Sequence, residues 1–236
     1  MVFLDARLRE TTMMTHSIEK VESWGSENGG ESGQSMHPTS EELYLSGGLL
    51  VEDWPHARQV TRLSTQLFVA TQPLHNLDDH ALRLLERAAF LHNTGMMIEA
   101  RRHHKHSFKL IKQTTLPDFT DEERHEIACV ARYHRRALPS MEHAEFAALR
   151  RAARKRVSFL SALLRVADAL DYNHDARVLR LQTDTARCNE SLWTIALWSR
   201  PLADLDVEVE QAHDKADLFE KVFKHKLRFT LERPDR

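Results

Sequence analysis

Three histidines lie at the ends of apolar stripes on predicted helices, and one aspartate interrupts an apolar helical segment. His56 lies one turn before such a stripe, and His92 and His134 each follow apolar residues at spacings of four and seven. Asp168 falls on a polar stripe through the otherwise apolar segment "RVSFLSALLRVADALD". A buried carboxylate is costly without a cation or donors. Imidazoles and a carboxylate from different helices are typical of a divalent metal site.

Each of these residues also has a simpler structural interpretation. A histidine on an apolar face can be a hydrogen-bonded core side chain. Asp168 can form an ion pair with Arg165, three residues earlier on the same helix. The occurrence of all four residues at equivalent helix positions favours the metal site.

A second group of polar residues surrounds a single glycine in "LHNTGMMIEARRHHKHS", residues 91–107. We predict that Gly95 breaks the preceding helix and approaches another element closely, although it could instead be an ordinary helix C-cap. Histidine titrates near neutral pH, so a histidine here can act as a general acid. The candidate catalytic residues are His104, His106 and Lys105. The candidate phosphate-binding residues are Lys105, Arg132, Arg135, Arg136 and Arg165, although solvated surface is the alternative.

The elements that must position these residues follow from hydrophobic periodicity. Spacings of three and four predict helices over 52–71, 79–92, 104–113, 121–136, 141–151 and 154–171. Alternation after about residue 176 predicts strands in "RVLRLQTD", "SLWTIALW", "LDVEVE" and "KLRFTLE", with a helix in "HDKADLFEKVFKH". We therefore predict a disordered tail over 1–40, which is rich in Gly, Ser and Glu, a helical domain over 41–175, and a small α+β subdomain over 176–236.

Composition excludes several classes of protein. The chain has 236 residues, a formal net charge of −2 and two cysteines, which is too few for a disulfide framework. The sequence has no apolar run long enough for a membrane span and no signal-peptide core. We expect a cytoplasmic protein that binds neither membrane nor nucleic acid.

The motifs resemble a known family. The order of the candidate ligands resembles the pattern of the HD phosphohydrolase superfamily. Successive predicted helices carry His56, the His92-Asn93 pair, His134 and a late aspartate, Asp168. The chain is more closely similar to the C-terminal domain of exopolyphosphatases and guanosine pentaphosphate phosphatases, from about residue 45 to 232. The blocks that carry this resemblance are "LHNTG", "HHKHSFKLI", "LPDFTDEERHEIACVARYHRRALP", "RVSFLSALLRVADALDYNH" and "KADLFEKVFKHKLRF".

The resemblance implies a mainly α fold, an HD-type helical bundle followed by a small α+β subdomain. It implies a metal-dependent phosphohydrolase for polyphosphate or guanosine polyphosphate, with a divalent metal ion on His56, His92, Asn93, His134 and Asp168. Asn93 replaces the acid of the family's pair, and a neutral ligand weakens the binding of a hard cation.

The alternative is a non-catalytic module that binds polyphosphate or nucleotide. In related full-length proteins, two actin-like domains precede this one and carry the hydrolysis, and here we expect only the tail to precede it. The implied partners are a phosphate-containing small molecule or polyphosphate, and either a second copy of the chain or a separate actin-like phosphatase.

Overall fold

A computed structural model describes residues 37–232, and the first part of this range is helical. The helices are α1 (Ser40–Leu45), α2 (Trp54–Ala70), α3 (Gln72–His75), α4 (Asp79–Leu91), α5 (His103–Gln113), α6 (Asp121–Arg132), α7 (Ala144–Ala147) and α8 (Arg151–Ala169). The segment 141–151, which we predicted to be one helix, holds the short α7 and the first residue of α8, because Arg150 is extended and separates the two helices. The tail prediction for residues 1–36 lies outside the described residues.

Side chains at the helix N-termini set where the helices begin. Thr39 and Thr120 each form a capping box with the glutamate three residues later, Glu42 and Glu123. At α2, Asp53 accepts a hydrogen bond from the backbone N–H of His56 at 3.0 Å. The first turn of α2, which carries His56, is therefore fixed by its own cap.

Helices α2, α4, α6 and α8 enclose the hydrophobic core. α2 contacts α4 and α8, while α6 contacts α4, α5 and α8. Each helix contributes fully buried side chains, including Leu63, Leu85, Ile127 and Leu163. His56, His92 and His134 stand at the ends of these apolar stripes and are at most 1% exposed. The periodicity therefore identified the inward face of each helix correctly.

The C-terminal part forms a three-stranded sheet in the order β1 (Val178–Thr183), β2 (Leu192–Ser199) and β3 (Lys226–Glu232). β1 and β2 are antiparallel, and β2 and β3 are parallel with Ile195 opposite Phe229. A parallel pair needs a crossover connection. Helices α9 (Asp206–Asp214) and α10 (Asp217–Phe223) provide it.

The strand predicted over 205–210 is wrong, because this segment belongs to α9. Its alternation of apolar and acidic residues is too short to separate a strand from a helix. The buried residues of α9 are Glu208 and Ala212, four positions apart, which is the spacing of one helical face.

The sheet docks on the helical bundle through α2, and the crossover helices α9 and α10 pack on α8. The Gln59 side chain donates to the carbonyl of Val178 at 2.7 Å, and Gln66 accepts from the N–H of Leu181 at 2.9 Å. The described residues form one compact unit. The fold is mainly α with a small α+β C-terminal part, as predicted, and the boundary near residue 176 stays a prediction. Within residues 37–232, no helix has the length and apolar character that crossing a membrane requires.

Candidate metal and phosphate site

Two histidines and one aspartate from three helices converge at one buried point. His56 comes from the first turn of α2, His92 caps the C-terminus of α4, and Asp168 lies near the end of α8. Asp168 Oδ1 lies 3.5 Å from His56 Nε2 and 3.3 Å from His92 Nε2. One ligand atom from each residue falls within 4.8 Å of the other two. These three residues are a possible ligand set for a divalent ion.

The second nitrogen of each imidazole is already engaged. His56 Nδ1 lies 2.8 Å from Asp171 Oδ2, and His92 Nδ1 lies 2.6 Å from the carbonyl oxygen of Ala89. Because these oxygens accept, the neutral form of each ring carries its proton on Nδ1, and its Nε2 then has the lone pair that a metal ligand needs. Neither Nε2 has a hydrogen-bond partner among residues 37–232. Two buried lone pairs facing a carboxylate fit a metal ion, and Asp171 stands in the usual outer position.

His56 is held by further contacts at the start of α2. His174 stacks on its ring, with centroids 3.6 Å apart and planes 3° from parallel. His174 Nδ1 lies 2.8 Å from Asp53 Oδ2, and Asp53 also caps the turn that carries His56. The Asp171 carboxylate accepts from the N–H of Ala176 through its other oxygen. The imidazole of His56 therefore has one orientation.

Charge in the site is unevenly distributed. Burial disfavours the imidazolium form of His56, but the carboxylates of Asp168 and Asp171 outweigh it and raise the pKa of His56 to about 9. Burial lowers the pKa of His92 despite the nearby Asp168. Burial opposes ionisation of Asp168, yet His56, His92 and Lys215 together hold its pKa well below the usual range. Asp168 is therefore a charged carboxylate that attracts cations.

The other oxygen of Asp168 faces a lysine from the C-terminal part of the chain. Lys215 Nζ lies 3.1 Å from Asp168 Oδ2, and the Lys215 side chain is 24% exposed. Arg165, which the sequence offered as an ion-pair partner for Asp168, instead pairs with Asp217 of α10 at 2.9 Å. Arg165 also donates to the carbonyl oxygens of Tyr133 and Arg136. It lies on the predicted polar stripe, buried between α8 and its neighbours.

His134 lies beside the three-residue cluster and contacts a different histidine. Its ring meets that of His92 edge to face, with centroids 4.9 Å apart. Its Nε2 lies 3.0 Å from Nε2 of His103, so one of these nitrogens donates the proton that the other accepts. Burial lowers the pKa of both rings, that of His103 to about 4. The predicted ligand His134 therefore adjoins the site and is paired with His103, which our sequence reasoning did not single out.

Asn93 follows His92 in the turn after α4. Its Oδ1 atom is buried and has no hydrogen-bond partner in the part of the chain that the structure describes. A free amide oxygen can serve as a neutral ligand or accept from a bound water.

Gly95 brings the start of α5 against the turn that follows α4. A Cβ atom on Gly95 would lie 2.3 Å from the carbonyl oxygen of His103 and 2.5 Å from the backbone nitrogen of Ser107. Ser107 Oγ accepts from the Gly95 N–H at 2.9 Å and donates to the carbonyl of His92 at 2.7 Å. The close approach that we predicted for Gly95 is present, and it places His103 beside the metal-ligand candidates.

The predicted catalytic residues occupy different faces of α5. His104 is buried, its Nδ1 has no hydrogen-bond partner within residues 37–232, and burial lowers its pKa to about 4. His106 is partly exposed, with Nε2 3.5 Å from Glu99. Lys105 is exposed. The ring centroid of His104 lies 6.5 Å from that of the predicted ligand His134.

The predicted phosphate-binding residues separate into two groups. Lys105 and Arg132 line an open cleft of about 350 Å³ between α5 and the region of α6 and α7. The cleft is bordered by Arg102, Lys105, His106, Phe108, Lys109, Arg132 and Glu145. Arg132 forms an ion pair with Glu145. In the other group, Arg135 contacts His103 at 3.3 Å, and Arg136 is exposed in a left-handed conformation after α6.

Besides His103, two residues that matter for this geometry were missed in the sequence. Asp171 orients His56, and its spacing of three from Asp168 in "DALD" was the available signal. Lys215 reaches Asp168 from 47 residues along the chain, so no local pattern could have indicated it.

Comparison with known proteins agrees with the resemblance. The profile described as "Ppx/GppA phosphatase, domain III" matches residues 51–213. Three curated relatives bear the name guanosine-5'-triphosphate,3'-diphosphate pyrophosphatase. The protein from Pseudoalteromonas translucida is 41% identical over 56 residues, which is 24% of this chain and 11% of the relative. Those from Aliivibrio fischeri and Photobacterium profundum are 30% and 31% identical, over 67% and 52% of this chain and 31% and 24% of the relative.

The chain thus spans a third or less of the length of these relatives. The match to the profile nevertheless covers more than half of the chain and includes His56, His92, Asn93, His134 and Asp168. The chain belongs to the Ppx/GppA phosphatase family, within the part of that family described as domain III.

Proposed function

We propose that this protein is a metal-dependent phosphohydrolase that acts on a phosphoanhydride or phosphoester. The observation that carries the proposal is the pair of buried, unpartnered Nε2 atoms of His56 and His92 on either side of Asp168 Oδ1. Both atoms face the Asp168 carboxylate without forming a hydrogen bond to it, and a divalent ion between them would give all three atoms a partner.

His56, His92 and Asp168 would hold the divalent ion, with Asn93 and His134 as adjacent candidate ligands. When bound, such an ion polarises a phosphoryl oxygen and lowers the pKa of a water molecule. Asp171 keeps the His56 ring in its binding tautomer. Beside this site, the Nε2 atoms of His103 and His134 lie 3.0 Å apart and share one proton.

Positive side chains near the site support a phosphorylated substrate. We propose that Lys105, Arg132, Arg135 and Arg136 attract phosphate oxygens and that His104 or His106 protonates the leaving group. Arg165 is also a candidate, although Asp217 and two backbone carbonyls already occupy its guanidinium. The names of the relatives favour guanosine polyphosphates, and inorganic polyphosphate offers the same anhydride chemistry.

Metal binding and phosphate release, measured on one preparation of the full chain, test this proposal. We expect Mn²⁺ to bind, phosphate to be released from a polyphosphate or guanosine polyphosphate, and a chelator to abolish that release. His56→Ala should abolish both the binding of Mn²⁺ and the release of phosphate. His213→Ala is the matched control, because His213 is exposed and lies on α9. Release that persists unchanged in His56→Ala or with chelator would disprove the proposal.

A second candidate function is a module that binds polyphosphate or nucleotide without cleaving it. The neutral Asn93 side chain and the Lys215 ammonium at Asp168 favour this alternative, since both reduce the attraction for a divalent ion. Such a module would serve a separate actin-like phosphatase or act as a homodimer, and both partners remain predictions, as does the cytoplasmic location. Phosphate-compound binding that a chelator leaves unchanged, with no turnover, would favour the module.

A further inference from the structure

The Asp168 carboxylate is shared between two sets of partners. Its Oδ1 atom faces the two free Nε2 atoms, and its Oδ2 atom faces the Lys215 ammonium at 3.1 Å. Lys215 and a divalent ion bound to the two imidazoles would therefore both interact with the single negative charge of Asp168. Lys215 is neither one of the candidate ligands nor a member of the predicted phosphate-binding set.

The fold holds Lys215 in this position. Lys215 follows the last turn of α9, and its backbone N–H donates to the carbonyl oxygen of Gln211. Two residues later, Asp217 pairs with Arg165, which lies one turn before Asp168 on α8. Two ion pairs side by side therefore fix the junction of α9 and α10 on α8, and Ala216 between them is buried. The placement of the Lys215 ammonium is built into the junction.

The ammonium is also placed to meet a ligand. The Lys215 side chain is 24% exposed, whereas the three metal-ligand candidates are at most 16% exposed. An ammonium group has three N–H donors on a flexible stem, so a bond to Asp168 leaves two donors for other oxygens. Phosphate oxygens are strong acceptors for such a group.

We propose that Lys215 is a substrate-binding residue of this site and the internal counter-ion of Asp168. The inference rests on the proposed function. Without a divalent ion, Lys215 neutralises Asp168. With the ion bound, the attraction of Asp168 for the ammonium falls, and Lys215 binds a phosphate oxygen of the substrate. Lys215 therefore weakens metal binding and strengthens phosphate binding.

These opposite effects separate Lys215 from a residue that only supports the fold. The test uses the full chain with Mn²⁺ alone, and then with inorganic phosphate added to the Mn²⁺-loaded protein, both followed by calorimetry. Lys215→Met should bind Mn²⁺ roughly tenfold more tightly, because a like charge a few ångströms away is removed. The same variant should bind phosphate roughly tenfold more weakly, because a charge-assisted hydrogen bond is lost. Lys215→Arg, which keeps the charge, should restore phosphate binding.

Lys226→Met is the matched control, because Lys226 is exposed and pairs with Glu220 of α10 rather than with a residue of the site. Thermal unfolding followed by circular dichroism shows whether each variant is folded. If Lys215→Met does not fold, Lys215→Gln, which also removes the charge, is compared with Lys215→Arg, which keeps it. Unchanged or weaker Mn²⁺ affinity on loss of the charge would overturn the inference, as would unchanged affinity for phosphate.

The result also distinguishes this inference from the proposed function. Mn²⁺ binding to the wild-type protein that His56→Ala leaves intact would refute the metal site, whatever Lys215 does. If the wild type binds no Mn²⁺ but Lys215→Met does, the lysine is shown to compete for Asp168. If neither binds, both proposals are wrong.

Discussion

At the residue scale, the site depends on which nitrogen of each imidazole remains free. The Asp171 carboxylate accepts a hydrogen bond from His56 Nδ1, and the Ala89 carbonyl accepts one from His92 Nδ1. Both rings therefore turn Nε2 toward Asp168. His134 Nδ1 contacts the Ala131 carbonyl oxygen in the same way, and the difference is that its Nε2 is already paired with His103. Helical periodicity predicted which histidines point inward, and it could not predict which nitrogen each ring presents.

Replacing Asp171 tests the selection of tautomer. Asp171→Asn keeps an oxygen near His56 Nδ1 but removes the charge that fixes the ring and raises its basicity. Loss of such an outer partner typically costs about 10–100-fold in metal affinity. Titration with Mn²⁺ measures the change, and Asp175→Asn is the control, because that aspartate is exposed and pairs with Arg177. Equal affinities for the two variants would mean that Asp171 has no role in orienting His56.

Replacing Asn93 tests whether the missing charge limits metal binding. Asn93→Asp places a carboxylate where the buried Oδ1 atom of Asn93 has no hydrogen-bond partner among residues 37–232. A hard divalent ion gains from an added negative ligand, so we expect Mn²⁺ to bind roughly tenfold more tightly. The same calorimetric titration measures this effect. An affinity that does not rise would remove Asn93 from the proposed ligand set.

At the element scale, helix α5 is positioned by a glycine rather than by an apolar face alone. A Cβ at Gly95 would overlap the backbone of His103 and Ser107. The sequence predicted a close approach because Gly95 is isolated from the other glycines, but it did not name the element approached. That element could not be identified because the contact depends on how α5 returns against α4 in three dimensions.

Gly95→Ala should therefore disturb both the fold and the site. The overlap is with backbone atoms that cannot rotate away, so we expect a loss of about 1–3 kcal/mol in the free energy of unfolding. We also expect weaker Mn²⁺ binding, since the His92 turn must shift. Gly48→Ala is the control for metal binding: its φ of +81° also makes alanine costly to the fold, but its Cβ position is open and clashes with no neighbouring element. Urea denaturation measures the free energy of unfolding, and titration with Mn²⁺ measures metal binding. An unchanged Mn²⁺ affinity in Gly95→Ala would contradict the predicted effect on the site.

The junction between α2 and α4 should make stability depend on pH through His75. Its Nε2 donates to the Phe68 carbonyl and its Nδ1 accepts from the Leu77 N–H, so the fold requires the neutral ring. Burial lowers the pKa of His75 from 6.5 to about 4 in the folded protein. The unfolded chain takes up a proton first as the pH falls. The stabilisation is therefore complete above pH 6.5 and is lost between pH 6.5 and about 4.

His75→Gln removes this titration while retaining a neutral donor and acceptor. Urea unfolding of the wild type and the variant, repeated at several pH values from 7.5 to 4.5, measures the difference. The free energy of unfolding of the wild type should fall more steeply, by on the order of 2–3 kcal/mol across the window. Parallel curves for the two proteins would show that His75 is not kept neutral by the fold.

At the scale of the whole molecule, the C-terminal part supplies more than a cover for the helical bundle. Lys215 and Asp217 approach α8 from the crossover between β2 and β3, and they pair with the two charged residues of its polar stripe. The sequence predicted the mainly α fold and the position of that stripe. It did not predict the pairing, because the segment 205–210 was expected to be a strand and ion pairs between distant segments leave no periodic signal.

The central claim is that a divalent ion binds between His56 Nε2, His92 Nε2 and Asp168 Oδ1. Anomalous diffraction from crystals of the full chain soaked in Mn²⁺ tests it most directly. We expect an anomalous peak at about 2.0–2.3 Å from all three atoms, typical of nitrogen and oxygen ligands. A well-ordered site with no peak there, or with the ion bound only elsewhere, would contradict the claim.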